Sequence, residues 1–383
     1  MTAVVEPLAI ITPRPLTVLQ RTSVHPGLGS GPLRVAGTGA PAGAVRGELC
    51  TVACAEAYGE PTAWTDGGLE LSADGHFALN AAVGAGGWFQ VQVRLLDADG
   101  VVVAQGVVEP VGVGEVFVVA GQSYAASCHE RRLVIEDVMA RAVAASPEEP
   151  DWRYAHDPQP RIEHRIDLSA LTEIAEVLAE LDLSYPHGEH SPFEGSVWPA
   201  FANAMLRLHR VPVALMHATV GATRIGFWTP GSQLFTNLVD AVEQVGDYRA
   251  LLWQQGESDV AHGTTTDEYV DALVALRSAL VERTDIDRPW LVARSTHHPT
   301  GEDREEREVA INQAQQLLAG LPGFRPGPDT DSLRGSDHRA GWFRGAHFTA
   351  QGQQAAGLMW AGEVHTLLRE VAAQEQSEAV PAH

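Results

Sequence analysis

The pattern of apolar and polar positions changes character after residue 112. Residues 16–112 are rich in Gly, Ala, Thr and Val, and turn sequences separate short stretches of alternating apolar and polar residues. Residues 88–95 form one such stretch, and residues 101–108 can pair back with it across the turn at Asp99 and Gly100. This arrangement is typical of a β-hairpin, and short strands at this spacing predict a small antiparallel β-sandwich.

Beyond residue 112 the apolar runs alternate between strand and helix character. The predicted strands are 115–120, 211–218, 248–253 and 289–293, and the predicted helices are 198–210, 234–245, 267–282, 309–318 and 351–368. Such alternation favours a parallel sheet with helices on both faces. The sequence therefore predicts an α/β fold with a three-layer α/β/α domain after the β-sandwich.

Four segments follow from these patterns. The predicted boundaries are an N-terminal extension at 1–15, the β-sandwich at 16–112, the three-layer domain at 113–372 and a disordered tail at 373–383. For the β-sandwich, a structural role and a carbohydrate-binding surface both remain open. The stretch 128–194 is ambiguous, with a surface helix expected at 170–181.

Composition and charge narrow the function. The chain has 383 residues, of which 45% are hydrophobic, enough to bury a sizeable core. With 26 Lys and Arg against 49 Asp and Glu the net charge is −23, so we expect neither nucleic acid nor a membrane surface as partner. Cys50, Cys54 and Cys128 fit no zinc pattern and no disulfide-built scaffold, and the first two are expected to be reduced.

Residues 1–20 do not resemble a signal peptide, because Glu6 and several prolines interrupt their apolar positions. No run of 18 apolar residues is present to span a membrane. These features predict a soluble, cytoplasmic protein, with secretion left open if a leader has been removed. The oligomeric state is not indicated.

Polar and glycine residues follow the predicted strands. Residues 121–125 come after the first strand, 219–223 after the second and 254–259 after the third, and 345–349 precede the last helix. In sheets of this kind ligands bind at the carboxyl ends of the strands. We therefore expect the chemistry of the protein at these positions.

The residues found there supply what acyl transfer needs. A serine nucleophile requires an adjacent base, usually histidine, and the tetrahedral intermediate requires preorganised hydrogen-bond donors for its oxyanion. Ser123 and His347 are candidates for nucleophile and base. Gly221 and Gln255 are candidates for oxyanion donors, through a backbone N–H and a side-chain amide.

Four motifs in this order carry a family resemblance. VVAGQSYA, VGATRIGFW, WQQGESD and HFTAQG are similar to the four blocks of the SGNH-type hydrolases, and more narrowly to sialate O-acetylesterase-like carbohydrate esterases. The resemblance covers most of residues 113–370 and extends to a β-sandwich placed before the hydrolase domain. It implies that Ser123 is the nucleophile and first oxyanion donor, that Gly221 and Gln255 are further donors, and that His347 is general base and then general acid.

Three positions depart from the family pattern. Ala222 stands where the family has the second glycine of its second block, and Tyr124 replaces the asparagine after the nucleophile. Arg344 occupies the position of the aspartate that should orient the histidine. Asp337 is the tentative substitute acid. The alternatives are Asp329 or Asp331, or a Ser–His dyad oriented by a backbone carbonyl.

Neighbouring residues are expected to support substrate binding. Tyr124, Thr223 and Arg344 border the predicted cleft, and Glu257 is expected to anchor its loop by accepting hydrogen bonds. Arg224 has three open roles: to meet a substrate carboxylate, to meet Glu257 or to face solvent. Trp228 is either a wall of the cleft or an anchor in the core.

The remaining histidines do not form a recognised metal motif, so neither a metal nor another cofactor is expected. His297 or His298 follows the fourth predicted strand and could compete with His347 as base. The predicted function is a serine esterase that removes acetyl or other short acyl groups from a carbohydrate, taking a small or oligosaccharide ester. The alternatives are a degenerate carbohydrate-binding protein and an esterase or amidase for a non-sugar molecule.

Overall fold

The computed structural model describes residues 5–162, 194–298, 303–341 and 345–379. Strands of the first part of the chain are β1 (Glu6–Pro7), β2 (Ala9–Thr12), β3 (Val18–Gln20), β4 (Ser30–Thr38), β5 (Arg46–Tyr58), β6 (Thr65–Asp66), β7 (Glu70–Leu71), β8 (Phe77–Gly84), β9 (Gly86–Leu96) and β10 (Val102–Gly121). Later strands are β11 (Ala142–Ala145), β12 (Arg153–Tyr154), β13 (Val213–Thr219), β14 (Ala250–Gln254), β15 (Trp290–Arg294) and β16 (Phe324–Asp329). The described helices are α1 (Trp198–His209), α2 (Gln233–Val245), α3 (Glu257–His262), α4 (Thr266–Thr284), α5 (Arg304–Leu318) and α6 (Ala350–Ala379).

The strands before residue 113 form two sheets packed face to face. One sheet has the order β2-β4-β8-β7, and in the other β9 pairs antiparallel with both β5 and β10. Alternate residues of these strands point inward, which is why Leu33, Val35, Leu79, Val91 and Val93 are buried between the sheets. The hairpin predicted across Asp99 and Gly100 is present as β9 and β10.

The N-terminal residues belong to this β-structure. β1 pairs with β10, and β2 pairs with β4. The expectation of a separate extension at 1–15 therefore differs from the structure for residues 6–12. Its two strands are only 2 and 4 residues long, and Pro7 ends the first while Pro13 follows the second, which hides the alternation typical of a strand.

The second half of the chain forms a parallel sheet between helices. The order is β12-β11-β13-β10-β14-β15-β16, all parallel except the edge strand β12. Side chains of β10 alternate between two apolar cores: Val116 and Val118 pack toward α2, α4 and α5, and Phe117 and Val119 pack toward α1 and α6. This is the predicted three-layer α/β/α arrangement.

Some elements differ from the sequence-based predictions. β16 and the short β11 and β12 were not predicted, because β16 contains two prolines and a glycine and the other two are too brief to show a period. Helix α6 continues to Ala379, where a disordered tail from residue 373 was expected. The helix predicted at 170–181 lies outside the described residues.

Cysteine and membrane predictions can also be compared with the structure. Cys50 and Cys54 both lie on β5 and form no disulfide, as expected. Within the described ranges, no helix has the length and apolar character needed to cross a bilayer.

A buried ion cluster joins β10 to both halves of the chain. Glu115 is fully buried, and its carboxylate accepts from Arg21 Nε at 2.6 Å and from Arg249 Nε at 2.7 Å. Burial alone would raise the pKa of Glu115, but the guanidinium groups of Arg249 and Arg21 outweigh burial and hold the pKa below its usual range. The carboxylate is therefore charged and ties Arg21, the residue after β3, to the parallel sheet.

Replacing Glu115 with Gln should destabilise the whole protein. The change leaves Arg21, only 3% exposed, without its countercharge, so we expect the free energy of unfolding to fall by about 3–5 kcal/mol in urea or thermal unfolding. The matched control is Glu70→Gln, which breaks the exposed pair with Arg34 and should leave the free energy of unfolding close to that of the parent, because water screens exposed ion pairs. Equal losses from the two variants would contradict this account of the cluster.

Candidate active site

The site begins where β10 ends beside β14. Gly121 has φ +129°, and a Cβ built on it would lie 2.1 Å from the carbonyl oxygen of Gln254. Only glycine fits this approach. The next residue, Gln122, donates its backbone N–H to the same carbonyl at 3.0 Å, and the chain then turns to present Ser123, which is half-buried.

The loop after β13 lies beside this turn. Val220 donates its N–H to the Gly121 carbonyl at 2.9 Å, which brings Gly221 next to the segment that carries Ser123. In the described part of the chain, the backbone N–H groups of Ser123 and Gly221 donate to no protein acceptor. Two backbone donors are therefore available at the strand ends, as the predicted oxyanion hole requires.

Ala222 adopts a conformation that favours glycine. Its φ is +57°, in the left-handed region that L side chains rarely adopt. The family resemblance places a glycine at this position. Alanine at position 222 therefore holds a strained backbone conformation directly after Gly221.

Gln255 lies at the expected place but its amide is already occupied. Its Nε2 lies 3.1 Å from Gln122 Oε1 and 3.0 Å from the Thr223 carbonyl, and it also contacts the carboxylate of Asp259. A carboxamide has only two N–H groups. The role of Gln255 as third oxyanion donor stays a prediction, and it requires one of these acceptors to be released.

His347 lies in the loop before α6 and is buried. Its ring centroid is 5.8 Å from that of Tyr124 and 5.7 Å from that of His129. Tyr124 directly follows Ser123, so the structure brings the predicted base against the segment that carries the predicted nucleophile. Burial lowers the pKa of His347 well below its ordinary value, and the neighbouring His129 and Arg339 lower it further.

Tyr124 was predicted to border the cleft, but its side chain instead links two loops. Its side chain is only 1% exposed, and its hydroxyl lies within hydrogen-bonding distance of the carbonyl oxygens of His297, at 3.0 Å, and Ala346. The ring also packs against Phe348 and Arg339. Tyr124 therefore packs beneath the site and connects the Ser123 turn to the His347 loop.

Two buried residues in this cluster were not predicted. Arg339 donates to the carbonyl oxygens of Thr330, Leu333 and Ala346, and so holds the chain before and after itself. His129 hydrogen-bonds with both Tyr124 and Phe348. Neither residue lies in a recognised motif. The available sequence signal was that each lies within ten residues of one.

The predicted support residues have mostly structural positions. Glu257 is fully buried and accepts from the Ser295 hydroxyl, whereas backbone or arginine donors were expected, so its anchoring role stays a prediction. Burial raises the pKa of Glu257 to about 8. Trp228 is buried against Trp253 and donates to the Thr223 hydroxyl, so it anchors the core. Arg224 packs over the ring of Phe227, and its charge acts on Asp259.

Among the described residues, Asp329, Asp331 and Asp337 form their hydrogen bonds and ion pairs with groups other than His347. Asp337 is exposed, whereas the orienting carboxylate of a serine triad is buried, so its tentative role stays a prediction. Asp331 accepts from the Thr296 and His297 N–H groups, and Asp329 pairs with Arg294 at 3.0 Å. Arg344 lies outside the described residues.

His297 and His298, the alternative candidates for the base, lie just after β15. The Nδ1 of His297 lies 3.6 Å from Glu308 on α5, and His298 donates its backbone N–H to the same carboxylate at 3.4 Å. The His297 side chain therefore pairs with Glu308, and the described contact of His297 with the Ser123 turn is made by its backbone carbonyl, which lies 3.0 Å from the Tyr124 hydroxyl. The described residues contain no group of three or more side chains suited to hold a metal ion.

The fold and the candidate site are those of an SGNH-hydrolase-like α/β protein. A serine, a buried histidine and two available backbone N–H groups lie together at the carboxyl edge of its parallel sheet. The family model for carbohydrate esterase, sialic acid-specific acetylesterase matches residues 113–366. The chain belongs to this family.

The chain is similar to several individual proteins. A carbohydrate acetylesterase of Xanthomonas citri has the same fold, with a TM-score of 0.51 at 16% identity over 96% of this chain and 76% of that one. A structure of an Arabidopsis thaliana protein gives a TM-score of 0.45 at 20% identity, covering 67% of this chain and 98% of that one. A probable carbohydrate esterase of Arabidopsis thaliana is 33% identical over 99 residues, which are 24% of this chain but only 37% of that relative.

The depressed pKa of His347 predicts activity at mildly acidic pH. A histidine acts as base only when neutral, so kcat/KM should stay level down to the ordinary histidine pKa of about 6.5 and fall only below it. The measurement is kcat/KM for p-nitrophenyl acetate between about pH 4 and 8. An acid limb centred above 6.5 would show instead that a carboxylate faces His347 and raises its pKa.

Replacing Ala222 with Gly should stabilise the protein slightly. Relief of the left-handed strain, about 1–2 kcal/mol, exceeds the backbone entropy gained by the unfolded chain, about 0.4–1 kcal/mol, so we expect a net gain of about 0.5–1 kcal/mol in chemical unfolding. Ala98→Gly, in an exposed turn without positive φ, is the control and should lose stability. A loss of stability in both variants would contradict the strain at Ala222.

Proposed function

We propose that this protein is a serine esterase that removes acetyl or other short acyl groups from a carbohydrate, with Ser–His catalysis and an acyl-enzyme intermediate. The observation that carries the proposal is the contact of Tyr124, the residue after Ser123, with the ring of His347. It joins two segments that are far apart in the sequence. Family membership and the two available backbone N–H groups support the same reaction.

The proposed reaction has two halves. The Ser123 hydroxyl oxygen attacks the acyl carbonyl carbon while His347 takes the hydroxyl proton, and the oxyanion that forms accepts from the N–H groups of Ser123 and Gly221. The tetrahedral intermediate then breaks its bond to the sugar oxygen, which receives the proton from His347. Water, deprotonated by His347, hydrolyses the acyl-enzyme and releases the acid and free Ser123.

The carbohydrate substrate class is carried by the family and by the acetylesterase activity of the Xanthomonas citri neighbour. The net charge of −23 favours a neutral ester over a polyanion. We also propose that the strands before residue 113 are a supporting β-sandwich. Continuity of β10 through both sheets and the buried pair of Glu115 with Arg21 favour this role over a separate binding module.

Replacing Ser123 with Ala tests the nucleophile. We expect hydrolysis of p-nitrophenyl acetate to fall by at least about 10³-fold, because no hydroxyl remains to form the acyl-enzyme. Ser377→Ala, on the exposed end of α6, is the matched control and should keep full activity. A Ser123→Ala protein that cleaves the ester at the normal rate would overturn the proposal.

A parallel assay of acetylated saccharides and simple acyl esters separates the substrate classes. Release of acetate from saccharides with a higher kcat/KM than from simple esters supports a carbohydrate esterase. Preference for the simple esters would indicate a non-sugar substrate. Binding of saccharides without any hydrolysis would indicate a degenerate binding protein.

A further inference from the structure

His129 makes hydrogen bonds that span the two catalytic segments. Its Nε2 lies 3.1 Å from the carbonyl oxygen of Tyr124, one residue after Ser123. Its Nδ1 lies 3.2 Å from the backbone nitrogen of Phe348, one residue after His347. One imidazole ring therefore connects the residue after the proposed nucleophile with the residue after the proposed base.

The two partners fix the tautomer of the ring. A carbonyl oxygen can only accept, so Nε2 must carry the hydrogen, and a backbone N–H can only donate, so Nδ1 must be bare. Burial lowers the pKa of His129 to about 3, and the cation of Arg339 acts in the same direction. The neutral form that satisfies both hydrogen bonds is therefore the stable form across the working pH range.

The ring is also held rigidly from its own main chain. The N–H of His129 donates to the Gly195 carbonyl at 2.8 Å, the N–H of Gly195 donates back at 3.1 Å, and Glu130 donates its N–H to the Phe348 carbonyl at 3.2 Å. The side chain is fully buried, and its ring centroid lies 4.9 Å from that of Phe348 and 5.9 Å from that of Tyr124. Packing and hydrogen bonds thus give the ring a single position.

We propose that His129 is a positioning residue that sets the distance between Ser123 and His347 by hydrogen-bonding the backbone on both sides of the site. The inference rests on the proposed esterase function and adds a residue that no motif of the sequence marks. His129 does not act as the base, because both of its ring nitrogens are used in these hydrogen bonds. Its effect is on geometry, where a displacement of about 1 Å can cost about 100-fold in rate.

The experiment compares three substitutions at this position. His129→Phe keeps a buried ring and removes both hydrogen bonds, His129→Gln can restore the donor to Tyr124, and His129→Asn can restore the acceptor for Phe348. We expect kcat for p-nitrophenyl acetate to fall about 10- to 100-fold in the Phe variant while KM changes less than about threefold. The Gln and Asn variants should recover part of the lost kcat.

The control is a second buried histidine. His217 on β13 is also fully buried with a pKa lowered to about 3 by burial, but within the described residues its ring nitrogens have no hydrogen-bond partner. His217→Phe should therefore leave kcat within about twofold of the parent. The melting temperature of every variant is measured first. The kinetics are then compared at temperatures at which all variants are folded.

The outcomes separate this inference from the esterase proposal. Loss of kcat in His129→Phe at nearly constant KM, with partial recovery in the Gln or Asn variant, supports positioning. Full kcat in a folded His129→Phe protein overturns the positioning role. Equal losses of kcat in all three His129 variants and in His217→Phe overturn it as well. In either case the esterase proposal stands as long as the activity of the parent depends on Ser123. A parent protein without esterase activity overturns the proposed function itself.

Discussion

The position of the active site depends on the continuous path of β10. This strand spans 20 residues, pairs with β9 and β3 in its first part and with β13 and β14 in its last part, and so belongs to both halves of the molecule. It ends at Gly121, where the approach of the Gln254 carbonyl leaves no space for a side chain. The turn that presents Ser123 therefore starts from a point fixed by both neighbouring strands of the sheet.

The same strand carries the charge that links the strands before residue 113 to the parallel sheet. Glu115 lies in the second half of β10, and its two arginine partners are Arg21, which follows β3, and Arg249, which precedes β14. A buried carboxylate is tolerated only while these partners are in place. Folding of one half is therefore coupled to folding of the other through one side chain.

At the carboxyl edge of the sheet, a second set of contacts joins loops that the strands alone do not connect. Tyr124 and His129 come from the turn after β10, and Arg339 and Phe348 come from the segment around His347. All four are buried, and each hydrogen bond they make across the loops ends on backbone. These backbone contacts hold the two loops in register through Tyr124, His129 and Arg339.

Much of this was predictable from the sequence and some was not. The long strands of the parallel sheet and the helices beside it have a clear apolar periodicity in the sequence. The candidate site could be predicted because its glycines and its serine directly follow these strands along the chain. The hydrogen bonds of His129 and Arg339 were not predicted because they depend on tertiary contacts between segments that are distant in the sequence. The occupied amide of Gln255 could not be foreseen for the same reason, and β1 and β2 are too short to show alternation.

The most direct test of the central claim is to locate the residue that a fluorophosphonate ester modifies, by mass spectrometry of peptides from the intact, folded protein. The account predicts a single covalent adduct on Ser123, formed because His347 removes the hydroxyl proton and the neighbouring N–H groups stabilise the developing charge. Absence of an adduct on folded protein, or an adduct on a different serine, would contradict it.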